Sequence, residues 1–338
     1  MRRLRRPRYT PPTLTDSGPG GRRRLADREG YEQTATFPTS FPGYWANDDV
    51  KGLLYSIQRK VCAYCSVETS GLEVEHFRPK GAVAGDPAHG GYWWLAYESC
   101  NYFLSCNACN GRKRTSFPLV SGSNRCTYDT RERITEEKRI LLDPAEDPVE
   151  DWLTIEPSDP TARLIPDPEL NASEMARVQE AIDLLGLNLN PVARKQRSNA
   201  YEEAARAAAN KHWGDLRRRA MRHRPHSLAA RIVVQRVAPQ LMPSAEEEMT
   251  DLLDSLWEDL RELLRDIRSV QERGRRITNA DQRQLDALAW AIIILRTDPP
   301  ARDSAFADAH LAQLFEGEER GIRNEILSLF RALVQEAL

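Results

Sequence analysis

No apolar run in this chain reaches membrane-spanning length, and the longest candidate, Ala287 to Leu295, has the size of a buried helix. A signal-peptide core is also missing, because Met1-Arg-Arg-Leu-Arg-Arg-Pro-Arg8 places arginines where an apolar stretch is required. Cysteine is scarce: there are six in 338 residues, and four of them stand in pairs at metal-ligand spacing. Too few remain for a disulfide framework, which argues for a reducing compartment. No internal repeat at a fixed period is visible, and repeat architectures require one. The expectation is a cytoplasmic protein, free of the membrane, with room for two or three domains.

The chain also has almost no net charge, a formal −2, but its charges are segregated. Residues 1–24 hold eight arginines against one aspartate, and residues 51–140 hold thirteen Lys/Arg against nine Asp/Glu. Residues 141–185 reverse the balance with two arginines against twelve acids, and residues 194–236 restore it with twelve basic residues against three acidic. Such segregation points to basic surfaces for a polyanion. Solvated helix faces account for part of the 194–236 excess. They do not account for the N-terminal arm, which has no apolar period.

Residues 1–44 read as a basic arm, largely disordered or extended, with its first thirty residues rich in Arg, Pro and Gly. Val50, Leu53, Leu54 and Ile57 then recur at amphipathic-helix spacing within residues 47–60, with Asn47 or Asp48 as N-cap. Leu72-Glu-Val-Glu-His-Phe77 alternates as a strand does. A helix is expected to begin at Asn110, with Lys113 on its first turns. Residues 143–170 form a Pro/Asp-rich linker in which 151–156 and 161–165 can pair as a hairpin. Residues 171–338 read as an α-helical domain for a partner or substrate, with helices at 173–186, 191–223, 227–237, 244–274 and beyond. The fold class is therefore α+β, predominantly helical: a small zinc-stapled module, 45–142, followed by helices.

The chemistry concentrates in that module. Cys62-Ala-Tyr-Cys65 and Cys106-Asn-Ala-Cys109 supply four thiolates some forty residues apart, the set a closed tetrahedral zinc site needs. Between them stand Glu75, His76 and Asn101, and Asn110 directly follows the last cysteine. Phosphodiester hydrolysis needs an activated water and a metal to stabilise charge on the phosphate. An imidazole such as His76 can take the water's proton near neutral pH. Glu75 and Asn110 offer hard oxygens to Mg²⁺ or Mn²⁺, although neighbours on a strand face opposite sides. Asn101 can hold the His76 loop by side-chain-to-backbone hydrogen bonds. Lys80, Arg112, Lys113 and Arg114 are candidate phosphate contacts. His89, His212, His223 and His226 read as surface residues, and Trp93, Trp94 and Trp152 as core.

The order Cys-x2-Cys, Glu-His-Phe-x-Pro-Lys, Asn, Cys-x2-Cys-Asn, Lys resembles the HNH (ββα-metal) endonuclease superfamily. The resemblance implies His76 as general base, Asn101 as the residue that orients it, and Asn110 with Glu75 as ligands of catalytic magnesium or manganese. It implies structural zinc on the four cysteines. Asn110 stands where the family's name has a histidine. Phe117-Pro-Leu119, Leu142-Asp-Pro-Ala-Glu-Asp-Pro148 and Leu185-Gly-Leu-Asn188 extend the likeness to a bacterial subgroup. That subgroup includes the HNH nuclease of Septu-type anti-phage systems and some retrons, which works beside an ATPase. DNA is the implied substrate, with RNA open, and the leucine stripe 252–264 leaves room for a homodimer. The competing readings are a zinc module that binds nucleic acid without cutting it, and an interaction subunit whose main business is its helices.

Overall fold

The computed structural model describes residues 1–4, 14, 29–30, 41–157 and 161–273. Within them the protein is α+β, with two small antiparallel sheets among helices. Helix α1, Asp48–Gln58, starts at Asn47 and ends at Arg59 in the left-handed conformation, φ 57°. Its last residue, Gln58, binds the main chain of Leu104 from both ends of its amide, accepting at 2.9 Å and donating at 3.2 Å. Strand β1, Leu72–His76, pairs with β2, Tyr102–Cys106, so that Glu75 faces Phe103 and His76 faces Tyr102 in register. Helix α2, Asn107–Lys113, follows β2 without a loop.

This helix begins three residues earlier than the sequence suggests, because Cys106 itself is the extended N-cap residue. Cys109 thus falls in the first turn, and Lys113 falls at the end rather than the beginning.

A short helix α3, Val149–Trp152, leads into β3, Leu153–Glu156, and its hairpin partner β4, Arg163–Pro166. Helix α4, Ala172–Leu185, carries a capping box in which Asn171 and Glu174 satisfy each other's amides. It stops at Gly186, whose φ of +58° suits a residue without Cβ. Helix α5, Pro191–Ala209, has Pro at N1 and an Asn190 cap.

The sequence pattern allows one helix over 191–223. The chain instead turns at Asn210-Lys211, with Lys211 at φ 59°, and folds back as α6, Trp213–Arg219. The turn lets Ala204 and Ala207 pack with Leu216, Ala220 and the face of α7, Ser227–Val237. Helical periodicity alone cannot see such a reversal.

The chain divides at Ser244 rather than near residue 170. Up to that point the main core runs continuously from Val50 and Tyr64 through Leu104 to Val178, Leu185, Ala193 and Leu228. The cysteine module and the first helices after it therefore share one hydrophobic interior. The arm is corrected at its start: Met1, Arg2 and Leu4 are buried, and the Leu4 N–H donates to the Pro144 carbonyl at 2.8 Å. Most of the remaining arm lies outside the described residues. His223 and His226 are also buried, not superficial, and burial with neighbouring arginines pushes both down to about 3. The second unit contributes α8, Ala245–Glu272, on which Leu252 and Leu256 are buried. The expected helices from 278 onward lie outside the described residues. No helix among those described is long and apolar enough to cross a membrane.

Candidate active site and metal centre

The four cysteines meet. All four are buried, and their Sγ atoms lie within 4.8 Å of one another. Cys65 and Cys106 stand 3.7 Å apart, close to the ~3.8 Å between sulfurs of a tetrahedron with Zn–S near 2.3 Å. None is in a disulfide. The turn after the first pair is tight, with Ser66 at φ 62°, and the Ser66 N–H donates to the Cys62 carbonyl at 3.1 Å. From the second pair, the Cys106 N–H donates to Cys62 Sγ at 3.4 Å. Geometry, burial and donor type all fit zinc.

His76 ends β1. Its Nε2 lies 2.9 Å from the Ala96 carbonyl, which also accepts from the Tyr102 hydroxyl at 2.6 Å. A carbonyl only accepts, so Nε2 carries the proton and the lone pair is on Nδ1. The ring is held edge-on between Trp45, at 4.8 Å, and Tyr102, at 5.0 Å. Burial, with Lys80 nearby, pushes its pKa down to about 3, so the imidazole is neutral at physiological pH.

Asn101 braces the turn that follows. Its Oδ1 accepts from the Arg78 N–H at 2.8 Å, and its Nδ2 donates to the Arg78 carbonyl at 2.9 Å. Its own carbonyl accepts from the Phe77 N–H at 2.9 Å. Arg78 in turn is pinned by buried Glu137 at 3.0 Å.

Glu75 is turned toward α2, where Lys113 meets it. Glu73 and Glu75 share a strand face, as Asn110 and Lys113 share a helix face at i, i+3. Asn110 donates to Glu73 Oε2 at 3.3 Å. Lys113 is completely buried, ion-paired with Glu75 and donating to the His76 carbonyl at 2.9 Å. Burial raises the Glu75 pKa, opposed by Lys113. Carboxylates and amide oxygens are hard donors of the kind that suits Mg²⁺ or Mn²⁺. Lys113 already sets a cation against Glu75.

The basic candidates separate. Lys80 lies over the Trp45 ring with Nζ 4.3 Å from its centroid. Arg112 lies along Gly186, where a Cβ would overlap its Cδ and Nε. Arg114 is exposed and donates to the Gly111 carbonyl at 3.2 Å. Lys113 is directed inward at Glu75, so as placed it faces no solvent. Sequence reasoning missed Trp45, Glu73 and the Ala96 carbonyl. Glu73 was visible in the Glu73-Val-Glu75 alternation, while Trp45 left no local signal.

The Lys113–Glu75 pair carries a prediction. Removing one partner of a buried ion pair typically costs ~3–5 kcal/mol, because the other charge stays behind unneutralised. Urea unfolding of zinc-loaded Lys113→Met should show a loss of that size, with much of it recovered in Lys113→Met/Glu75→Gln. A single variant within ~1 kcal/mol of wild type would show that the pair does not support the fold.

Comparison with known proteins finds a partial similarity. The chain is 36% identical over 143 residues to Septu protein PtuB of Bacillus mycoides (strain KBAB4). The aligned stretch covers 40% of this chain and 47% of that protein, about half its length. No protein-family model matches the chain.

Proposed function

We propose that the chain is a metal-dependent HNH endonuclease that hydrolyses phosphodiester bonds in DNA. His76 carries the reading: it is a neutral imidazole with its tautomer set by Ala96, its ring held by Trp45 and Tyr102, and its loop braced by Asn101. A histidine serving only the core needs no asparagine clamp on the turn beyond it. The order β1, β2, α2 around the cysteine cluster supports a zinc-stapled ββα-metal unit.

In this mechanism Nδ1 of His76 takes a proton from the attacking water, and the Ala96 carbonyl holds the imidazolium that results. The water oxygen bonds to phosphorus, and the ester oxygen on the opposite side departs with the bonding pair. Lys80 sits beside His76 to bind the phosphate. Glu75 and Asn110 would hold Mg²⁺ or Mn²⁺, which when bound stabilises charge on the phosphoryl oxygens. The similarity to Septu protein PtuB supports a role as a component of anti-phage defence, and the resemblance of the motif order to the HNH subgroup implies an ATPase as partner.

The Lys113–Glu75 ion pair favours the second reading, a zinc-containing module that binds nucleic acid without cutting it. Supercoiled plasmid and a long RNA, each incubated with the zinc-loaded full chain in Mg²⁺, in Mn²⁺ or with no added divalent ion, separate these. The nuclease reading expects nicked or linear plasmid with either ion and none without an added ion. Retarded but intact plasmid under every condition supports the binding module, and cleavage confined to RNA changes the substrate.

A further inference from the structure

Among the described residues, Arg197 is a buried cation bonded only to neutral groups. It lies on α5 with 2% of its surface exposed. Its Nη1 donates to Asn188 Oδ1 at 3.1 Å and to the Ala162 carbonyl at 3.5 Å, and its Nη2 donates to the Leu187 carbonyl at 3.0 Å. No carboxylate among the described residues stands at ion-pair distance from it. Buried arginines are normally paired with an acid, since a guanidinium cannot shed its proton in a protein.

The helix that carries it is seated against the cysteine module. The next residue, Gln196, accepts from the Glu68 N–H at 3.3 Å, which seats α5 on the loop just after Cys65. The opposite charges that bear on the guanidinium are the sulfurs of Cys65 and Cys109. Four thiolates around one Zn²⁺ leave about two net negative charges, a buried anion that itself needs compensation. Arg2 is likewise fully buried and bonded to the carbonyls of Gln58 and Arg222, but the largest opposite charge acting on it is Glu150, ahead of Cys62.

We infer that Arg197 is the counter-ion of the four-cysteine metal centre, so that retention of the metal depends on a helix outside the module that supplies the ligands. The inference rests on the zinc reading of that cluster. It makes α5 part of the metal site, and it explains why the module and the first helices share one core. Arg197 is a positioning residue here, acting on the metal through charge.

Chelator competition on the full zinc-loaded chain measures the effect. Arg197→Met should weaken zinc retention about 10–100-fold, as loss of an outer partner of metal ligands typically does. Arg197→Lys keeps the charge and should stay within about threefold of wild type, whereas Arg197→Gln keeps hydrogen bonding but not charge and should resemble the Met variant. Replacing one thiolate by imidazole, Cys65→His, removes one negative charge. In that background Arg197→Met should cost less than about threefold. Should Arg197→Met fail to fold, the Lys-against-Gln comparison still decides. Equal retention by Lys and Gln, or the same Met cost in both backgrounds, overturns the counter-ion inference and leaves the zinc reading standing. A folded wild-type chain without zinc overturns both.

Discussion

Cys106→Ser should abolish the folded state of the unit that ends at Ser244, not merely slow a reaction. The cluster lies inside the main core: Cys62, Cys65, Cys106 and Cys109 belong to the same apolar interior as Tyr64, Leu104 and Leu185. Structural zinc contributes ~10–16 kcal/mol of apparent binding free energy in zinc-finger peptides, and that energy is folding energy. A whole domain is stable by only ~5–15 kcal/mol, so a large part of the zinc contribution cannot be lost without unfolding. The wild-type chain should contain about one zinc by elemental analysis. The variant should be insoluble or lack a cooperative thermal transition, and EDTA should produce the same result in the wild type. A soluble Cys106→Ser chain with a wild-type melt would show that the cluster is an ordinary set of buried thiols.

What could be read in advance was local. Two cysteine pairs, the alternation of Leu72 to His76, and the hairpin segments 151–156 and 161–165 specify their elements through near neighbours. Gly186 and Pro191 likewise mark helix ends through backbone geometry that only those residues accept easily. Asn101 could be expected to bond a backbone because short amides do so beside turns, and it binds Arg78.

What could not be read was tertiary. A run of arginines at the N-terminus looks like a solvated arm, yet Arg2 is enclosed by carbonyls that lie 56 and 220 residues away. Lys113 looks like a lysine awaiting phosphate, and only the packing of α2 on β1 turns it toward Glu75. The turn at Asn210 and the burial of His223 and His226 likewise depend on helices meeting across the chain. Composition suggested a boundary near residue 170 because the acidic linker lies there. The apolar faces of α4 and α5 instead close the core of the module before them.

The second large effect falls on His76. Its ring is held by aromatic edges and one carbonyl, and its loop is clamped from Asn101, so His76→Ala should remove the proposed base while leaving the cysteine cluster and the Asn101 clamp in place. General-base catalysis typically contributes ~10²–10⁴ in rate, and the loss should appear in the cleavage step rather than in affinity for nucleic acid. Binding should remain and should weaken steeply with salt, because phosphate contacts act through counterion release. Asn110→Ala should be impaired through the divalent ion instead, and raised Mn²⁺ should recover part of its activity.

The most direct measurement is a single-turnover plasmid cleavage assay of wild type and His76→Ala in Mn²⁺. The two proteins should be matched for zinc content and melting temperature, and purified from a strain whose background nuclease has been excluded by a mock preparation. The account predicts that the wild type nicks or linearises the plasmid and that the variant, binding it equally, is slower by at least ~10². Cleavage by His76→Ala at the wild-type rate would contradict it.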